Sequence, residues 1–416
     1  MSDFAGPSLR HLRLFETVAR VQSVRKAAEQ VHLTQPAVTQ AIAKLESQIG
    51  ATLFDRRSSG TYLTPAGEIL VARVNAMFHQ IEEALARFGV GGESRRSPIS
   101  VAERITRPHI RALAAVADGG SVADAVRCGI SKASLHRAAR ELERNLGKPL
   151  FHKGADGAVM TAAGAELARK LSLAMREPEW GMEEIQAAAG RESGEIRIGA
   201  MPLAGSFLLT PALNEFMRAS SQARLRVRSG DGHDMIKALR LGDVDFVVGV
   251  TRNPPDFDDI AQEPLIAIPY IVVARRDHPL ARKAKVTLAD LEQYDWIAPT
   301  HSAARREAFD RLVAKMRKPP RVSIEASPLT TIRLLRGGND RLALVSRFEF
   351  EDEKVAGGLT VLPFLGIEPG RPVGIISRAN WTPTSLHQRF LDLIRVQAAT
   401  MARQGAHNGL RNGEAA

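Results

Sequence analysis

The sequence of 416 residues contains one cysteine, Cys128, which excludes a disulfide bond within the chain and the common cysteine spacings of zinc sites. It has no run of about 18 apolar residues, the length that a membrane-spanning helix needs. Its first residues, MSDFAGPSLRHLRLF, lack the basic and then apolar order of a secretory signal. These absences predict a cytoplasmic protein that is neither exported nor inserted in a membrane.

Motifs of catalysis are missing as well. The 11 histidines are scattered, and neither the HExxH pattern of zinc proteases nor the GxSxG pattern of serine hydrolases occurs. The stretch Gly337-Gly338-Asn339 is typical of a turn rather than of a phosphate-binding loop. We therefore expect no enzymatic activity, no catalytic residue, no metal site and no cofactor.

The composition, with 44% hydrophobic and 25% charged residues, is typical of a soluble globular protein. The length suggests two to four domains. A net charge of +11 favours an anionic partner, but the excess is spread along the chain. Charge alone therefore does not predict DNA binding, and that prediction depends on motifs.

Signals for two short helices and the turn between them lie close together near the amino terminus. Ser23 can cap a helix that ends near Val31, and Thr34 can cap a second helix that has Pro36 in its first turn. Gly50 then ends the second helix. The apolar residues of that second helix form one stripe at helical spacing: Val38, Ile42, Leu45 and Ile49. Its remaining faces are free to contact a partner.

A hairpin and a long helix are predicted next. Residues 52–54 and 61–63 are strand-like, and they flank a basic turn at residues 56–60 that is suited to contacting phosphates. Thr64, followed by proline, then starts a helix that runs to about Phe88. Two helices, a basic hairpin and a long helix are the parts of a winged helix-turn-helix.

The pattern AAxxxxLTQPAVTxxIxxLExxIGxxLFxR, followed by LTPAG, resembles the amino-terminal domain of LysR-type transcriptional regulators. The resemblance implies a winged helix-turn-helix over residues 1–92 that binds double-stranded DNA, and family positions matching Gln35, Pro36 and Thr39 meet DNA. Glutamine can pair with adenine, and threonine can contact a base edge or a thymine methyl. The predicted DNA-binding residues are Thr34, Gln35, Pro36, Thr39, Gln40, Lys44, Arg56 and Arg57.

Alternatives stay open for several of these residues. Arg56 and Arg57 also fit a solvated turn. Gln40 and Lys44 also fit exposed positions without base contact. For the domain as a whole, the alternative is a three-helix bundle that binds no DNA.

The pattern occurs a second time, at an offset of 97 residues. GKPLFHKGADGAVMTAAG from Gly147 aligns without gaps on GATLFDRRSSGTYLTPAG from Gly50, and Ser131 falls on Thr34. The apolar stripe recurs as Leu135, Ala139, Leu142 and Leu146. We predict a second, degenerate winged helix-turn-helix over residues 100–190, after a linker at Gly89 to Pro98. This duplication departs from the family, which ordinarily has one such domain per chain.

The second copy keeps the apolar residues better than the DNA-reading residues. Gln35-Pro36 becomes Lys132-Ala133, and Arg56-Arg57 becomes Lys153-Gly154. We expect a spacer or dimer-forming role first and an auxiliary contact with phosphates second. The residues expected to make auxiliary contacts are Lys132, His136, Arg137 and Lys153. A connecting helix from Leu167 to about Ala189 should be weakened at Pro178.

After Gly190 the sequence alternates strands such as EIRIGAM, RLRVRSG and DFVVGV with helical stretches, which predicts a parallel sheet. GEIRIG and LGDVD resemble the effector domain of the same regulators, which is similar to periplasmic solute-binding proteins. The segments IGAMPLAGS, YDWIAP and ISRANWTPT look closest to the branch named for a regulator of a galactose-binding protein. The resemblance implies an effector domain over residues 193–403, with lobe I at 193–268 and 364–403 and lobe II at 269–363. The polar tail at 404–416 is expected to be disordered.

Small ligands usually bind where strands give way to helices in such sheets. By analogy with the family, three segments are expected to converge on the effector. Their residues are Met201, Pro202, Leu203, Asp231, His233, Thr300, His301 and Ser302. An ordinary helix cap is the competing interpretation for each segment, since Asp231 and Ser302 are natural capping residues.

The predicted architecture is α+α/β, with two winged helix-turn-helix domains followed by a two-lobed effector domain of the type 2 periplasmic-binding-protein kind. The predicted function is DNA-binding transcriptional regulation in response to a sugar, a sugar acid or an aromatic acid, by a homodimer or homotetramer. The alternative is a solute-binding sensor whose duplicated helix-turn-helix serves mainly in protein-protein association.

Overall fold

The computed structural model describes residues 6–91, 97–119, 131–154, 157–191, 194–202, 205–252, 255, 257–301, 303–337, 339–354 and 357–413. Its tertiary contacts divide the chain into two units, Met1–Gly194 and Glu195–Ala416. Among the helices of the described residues, none has the length and apolar character needed to cross a membrane.

The amino-terminal unit starts with helices whose ends are set by short polar side chains. They are α1 (Leu9–Val21), α2 (Val24–Gln30) and α3 (Gln35–Ile49). Ser23 Oγ accepts a hydrogen bond from Lys26 N at 3.3 Å, and Thr34 Oγ1 accepts one from Ala37 N at 3.4 Å. Gly50 ends α3 with a φ of 74°, a conformation that favours glycine. The caps predicted at Ser23, Thr34 and Gly50 are confirmed.

A hairpin and a long helix follow these helices. They are β1 (Phe54–Arg57), β2 (Gly60–Leu63) and α4 (Pro65–Arg87), and the two strands are antiparallel. Glu46 Oε1 on α3 accepts hydrogen bonds from Leu53 N at 2.8 Å and from Phe54 N at 3.3 Å. This carboxylate anchors the start of the hairpin to α3, so the basic turn is held at a defined place beside the helix.

A second segment of the same unit contains helices around another hairpin. Its elements are α5 (Pro98–Ala102), α6 (Arg107–Gly119), α7 (Lys132–Leu146), β3 (Phe151–Gly154), β4 (Gly157–Met160), α8 (Ala162–Ala174) and α9 (Arg176–Ala188). Glu143 Oε1 accepts hydrogen bonds from Leu150 N at 2.8 Å and Phe151 N at 3.2 Å, as Glu46 does in the first segment. Gly147 ends α7 with a φ of 70°. Ser121 and Val122, which align on Ser23 and Val24 when the turn of the second copy is one residue shorter, lie outside the described residues.

The linker predicted at Gly89 to Pro98 does not separate two cores. Val90, within it, is only 4% exposed, and Pro98 opens α5. Buried side chains from both sides of this stretch form one hydrophobic core, which includes Leu45, Leu85, Val101, Leu142 and Leu167. Residues 92–96 of this stretch lie outside the described residues. The packing of α5 on α4 depends on tertiary contacts that composition does not report.

The predicted weakness of the connecting helix at Pro178 is confirmed. The helix breaks at Met175, between α8 and α9, and Pro178 lies in the first turn of α9. Proline is tolerated there because the first N–H groups of a helix have no partner inside the helix.

The carboxyl-terminal unit alternates strands with helices over most of its length. In order, its elements are β5 (Glu195–Ala200), the π-helical turn Gly205–Leu209, α10 (Thr210–Ala219), β6 (Arg224–Ser229), α11 (Gly232–Leu241), β7 (Phe246–Val250), β8 (Ile260–Ile268), β9 (Tyr270–Arg275), the 3₁₀ turn Pro279–Arg282, α12 (Leu288–Leu291), β10 (Trp296–Pro299), α13 (Ala304–Ala314), β11 (Val322–Ala326), α14 (Pro328–Arg336), β12 (Leu342–Ser346), α15 (Arg347–Lys354), β13 (Leu359–Val361), β14 (Gly370–Arg378) and α16 (Ser385–Gly413).

These strands form two sheets, each of which is the centre of one lobe. The strand order is β6-β5-β7-β14-β8 in the first sheet and β11-β10-β12-β9-β13 in the second. β5 is parallel to β6 and β7, and β10 is parallel to β11 and β12. The chain passes to the second sheet between Ile268 and Tyr270, and it returns between Val361 and Gly370.

Helix α16 packs on the first lobe and extends further than expected. His387 Nε2 lies 3.2 Å from Asp245 Oδ2, and both side chains are buried. The tail was expected to be disordered, but the helix continues to Gly413. Met401, Ala402 and Arg403 are good helix formers, and extending a helix that already exists costs less than nucleating one. The disorder expected of the tail at 404–416 stays a prediction.

Candidate functional site

Helix α3 buries one face and leaves its amino-terminal end exposed. Its buried residues are the predicted stripe Val38, Ile42, Leu45 and Ile49. Gln35 and Pro36 are exposed in its first turn, and Thr39 is half-buried one turn further on. Within the described residues, the Gln35 amide and the Thr39 hydroxyl make no hydrogen bond. Donors and acceptors at the start of an exposed helix suit the reading of base edges in a major groove.

The other predicted residues of α3 divide by what they already contact. The Thr34 hydroxyl caps the helix, so one of its hydrogen-bonding roles is taken. Gln40 and Lys44 are exposed. Exposure suits contact with DNA and equally suits solvent, so both alternatives stay open for this pair.

The basic turn of the hairpin contains an ion pair that the sequence pattern did not indicate. Arg57 Nε lies 2.8 Å from Asp55 Oδ2, and the side chains are 65% and 48% exposed. The Arg57 guanidinium also lies 5.6 Å from the centre of the Tyr62 ring. Exposed pairs contribute little to stability, so Asp55 does not fix Arg57 in place. It does reduce the positive potential of the turn. Arg56 is exposed.

The predicted auxiliary residues of the second segment are only partly described. Arg137 is exposed and His136 is half-buried, whereas the side chains of Lys132 and Lys153 lie outside the described set. Three exposed arginines, Arg137, Arg140 and Arg144, step along α7 by three and four residues and so share one face. We call this face the arginine stripe. The stripe is visible in the sequence, because the residues of α3 that align with these arginines are uncharged. A comparison restricted to the residues expected to read DNA does not reveal it.

The two segments of the amino-terminal unit are joined by a buried ionic cluster. Arg73 on α4 donates to Glu177 Oε2 at 3.1 Å and to Glu184 Oε1 at 2.7 Å, both on α9. Gln80 Nε2 donates to Glu177 Oε1 at 2.8 Å. Burial lowers the pKa of Arg73, but its hydrogen bonds and attraction to Glu184 and Glu177 outweigh burial and raise the pKa above its ordinary value. Helices α4 and α9 are thus held together by charges with little access to solvent.

In the first lobe, the predicted effector residues lie beside one another but differ in exposure. Met201 is 8% exposed and packs so closely on Gly249 that a side chain there would overlap its sulfur. Pro202 is exposed, and Leu203 lies outside the described residues. Asp231 caps α11 by accepting from Asp234 N at 2.9 Å, which supports the competing interpretation for that residue. His233 is exposed.

In the second lobe, the predicted residues follow β10. Thr300 is half-buried, and His301 is 77% exposed with its Nε2 3.6 Å from Glu325 Oε1. Ser302 lies outside the described residues, and Ala303 occupies the cap position of α13. Among the described residues, no hydrogen bond joins this set to the set in the first lobe. The lobes do meet nearby, since the rings of Phe207 and Phe348 stack with centres 4.4 Å apart.

Comparison with known proteins follows the same division of the chain. The family model described as the LysR substrate binding domain matches residues 189–399. The model described as a bacterial regulatory helix-turn-helix protein of the lysR family matches residues 9–68 and 108–165.

Individual relatives match over most of their own length. The chain is 30% identical to the HTH-type transcriptional regulator GalR of Pseudomonas putida over 387 residues, which are 91% of the chain and 94% of GalR. It is 25% identical to the uncharacterized regulator YdcI of Escherichia coli, covering 70% of the chain and 96% of YdcI. A full-length OxyR variant of Pseudomonas aeruginosa has a similar fold, with a TM-score of 0.51 and 20% identity over 69% of the chain and 97% of that protein.

Proposed function

The chain belongs to the LysR family of DNA-binding transcriptional regulators, which have an effector-binding domain and are not enzymes. On that basis we propose which part of the chain reads DNA and which part binds the effector. Helix α3 reads the operator, and the carboxyl-terminal unit binds a small molecule that changes the regulatory output. The observation that carries the DNA-reading assignment is that exposed Gln35 and half-buried Thr39 make no hydrogen bond among the described residues and lie above a fully buried stripe.

In this proposal the residues of α3 and its hairpin have separate tasks. Gln35, Pro36 and Thr39 contact bases, and Gln40 and Lys44 lie along the groove. Arg56 and Arg57 contact the phosphate backbone or the adjoining minor groove. Thr34 positions the first turn of the helix through its cap.

We propose that residues 100–190 are a second, degenerate winged helix-turn-helix, following a first one at 1–92. Support comes from the gapless alignment at an offset of 97 residues and from the matching contacts of Glu46 and Glu143 with the start of each hairpin. Its positive residues Lys132, His136, Arg137 and Lys153, with the arginine stripe, supply attraction to phosphates that does not depend on sequence.

We further propose an effector domain over residues 193–403 that resembles periplasmic binding proteins, with the ligand between the lobes. Two mixed sheets, each with three parallel strands, and two chain crossings between them support this arrangement. The effector is a sugar, a sugar acid or an aromatic acid, and it is contacted from the segments at Met201, Asp231 and Thr300. The protein acts in the cytoplasm as a homodimer or homotetramer.

Selection of binding sites from random DNA by the full-length chain tests the proposal. We expect one enriched sequence, and we expect its occupancy across a genome to change when the correct small molecule is added. Enrichment of no sequence would overturn the assignment of α3 as a reader.

A further inference from the structure

One buried side chain of the carboxyl-terminal unit has hydrogen-bonding groups without a partner among the described residues. Arg305, in the first turn of α13, is 1% exposed. Its Nη2 donates to the carbonyl oxygen of Ala326 at 2.9 Å and to Thr331 Oγ1 at 3.2 Å. Its Nε and Nη1 are buried without an acceptor among the described residues. Buried polar groups are nearly always hydrogen-bonded, so these two nitrogens indicate a missing acceptor.

The position of Arg305 is where the two-lobed fold is expected to bind its ligand. Ala326 is the last residue of β11, and β11 is parallel to β10 and near β12 in the second sheet. The carboxyl ends of these strands therefore lie at one edge, where Thr300 follows β10 and Ser346 ends β12. Arg305 thus points its guanidinium at the edge that holds the predicted effector segment of this lobe.

Among the described residues, no carboxylate forms an ion pair with the buried guanidinium of Arg305. Glu349 attracts it from a distance, but Glu349 Oε2 already accepts hydrogen bonds from Ser346 N at 3.0 Å and Ser346 Oγ at 2.9 Å. Burial lowers the pKa of Arg305, as expected for a cation removed from water.

A neutral donor lies in the same neighbourhood. Tyr270, the first residue of β9, is opposite Ser346 in the sheet and is 6% exposed. Burial, with a further contribution from Glu349, raises the pKa of Tyr270 to about 12, so its hydroxyl keeps its proton near neutral pH. A cation and a protonated hydroxyl together favour an anionic ligand over a neutral one.

We propose that Arg305 is the anchor of the effector site and that the effector is a small acid whose carboxylate accepts hydrogen bonds from the unpaired N–H groups of Arg305. This inference rests on the proposed effector-binding function and narrows it. Of the ligand classes considered, it retains sugar acids and aromatic acids and excludes neutral sugars. A carboxylate supplies both the acceptor and the charge that Arg305 lacks.

Thermal unfolding of the full-length chain with matched ligands tests the inference. The probes are galacturonate against galactose, gluconate against glucose and benzoate against benzyl alcohol, with inorganic phosphate as a simple anion. We expect at least one acid to raise Tm and its neutral counterpart to leave Tm unchanged, because binding only to the native state stabilises it. Arg305→Met should weaken binding of that acid roughly 10- to 100-fold, as loss of a charge-assisted hydrogen bond does.

Two further variants separate a binding role from a structural one. Arg311→Met, on the exposed side of the same helix, should leave the response to the acid unchanged. Arg305→Lys keeps the charge, so it should recover part of the affinity lost in Arg305→Met. If Arg305→Met does not fold, Arg305→Lys alone decides, because it should bind the acid more weakly than the parent while unfolding at a similar temperature.

Three results would overturn the inference: a neutral sugar that raises Tm as much as its acid, full acid affinity in Arg305→Met, or no response to any acid of the panel. The first of these would leave the effector-binding function in place and reject only the acid. Loss of operator selectivity, measured separately on DNA, would reject the regulatory function and would not concern Arg305.

Discussion

Arg73 Nη1 lies 3.1 Å from Glu177 Oε2, and these buried atoms connect helices that are 104 residues apart in the sequence. The side chains are 7% and 3% exposed, so removing one partner leaves the other charge in a place that water hardly reaches. Because α4 follows the hairpin of the first segment and α9 ends the second, this contact joins the two segments in addition to their shared hydrophobic core.

The first prediction concerns that contact. Arg73→Met should lower the free energy of unfolding of the amino-terminal unit by about 3–5 kcal/mol, because it leaves the buried carboxylate of Glu177 without a cationic partner. Urea unfolding of the full-length chain measures the change. Glu16→Ala, which removes the partner of Arg20 in an exposed pair, is the control and should change stability by less than about 1 kcal/mol. Equal small effects of both variants would show that the cluster is accessible to water.

The second prediction concerns base reading. Gln35→Ala and Thr39→Ala should each reduce the preference for the operator over random DNA. A good paired contact between a side chain and a base contributes about 1–3 kcal/mol to this preference, and that is the size of the loss we expect. Gln48→Ala, exposed near the other end of α3, is the matched control and should leave the preference unchanged. Competition binding with both DNA types gives the values. An unchanged preference in the Gln35/Thr39 double variant would show that α3 does not read the operator sequence.

The third prediction concerns the pair in the hairpin turn. Arg57→Ala should weaken binding to all sequences alike and reduce the slope of log affinity against log salt by about one unit. Asp55→Asn should strengthen binding to all sequences, because it removes a negative charge 2.8 Å from Arg57. Salt titrations of operator and random DNA measure both effects. Opposite results for the two DNA types would mean that Arg57 reads bases.

The fourth prediction concerns the arginine stripe of α7. Replacing Arg137, Arg140 and Arg144 by glutamine should lower affinity and reduce the salt slope by up to about three units, while the preferred sequence stays the same. The matched control replaces Arg317, Lys318 and Arg321, three exposed cations of the other unit, and should have a smaller effect on the slope. If the parent chain selects an additional half-site that vanishes in the stripe variant, the second segment reads DNA sequence.

Local features of the fold were predictable because they depend on neighbouring residues. The caps at Ser23 and Thr34, the turn at Gly50 and the break before Pro178 follow from backbone chemistry within a few positions. The family and its two-part architecture were predictable from motif spacing, and the comparisons confirm them. The shared core around Val90 was not predictable, because it depends on which distant segments pack together.

The chemistry of the candidate sites was predictable where it depends on residues close in the sequence. The exposed end of α3 follows from the periodicity of its stripe. The burial of Arg305 does not, because α13 has polar residues around most of its surface and only the packing of β11 and α14 encloses that arginine. The ion pair of Asp55 with Arg57 was not predictable, because it depends on the direction of the side chains in a short strand.

The contact between α4 and α9 has a consequence for how this chain evolves. In a dimer of identical chains, every substitution appears in both halves at once, so both halves must tolerate it. Here one gene encodes both segments, and a substitution in α7 leaves α3 untouched. On the proposal that the two segments are copies of one domain, the arginines of α7 and the uncharged residues at the aligned positions of α3 are a difference that a dimer of identical domains could not have. Within the part of an operator that one chain contacts, the DNA sequence therefore has no need to be a palindrome.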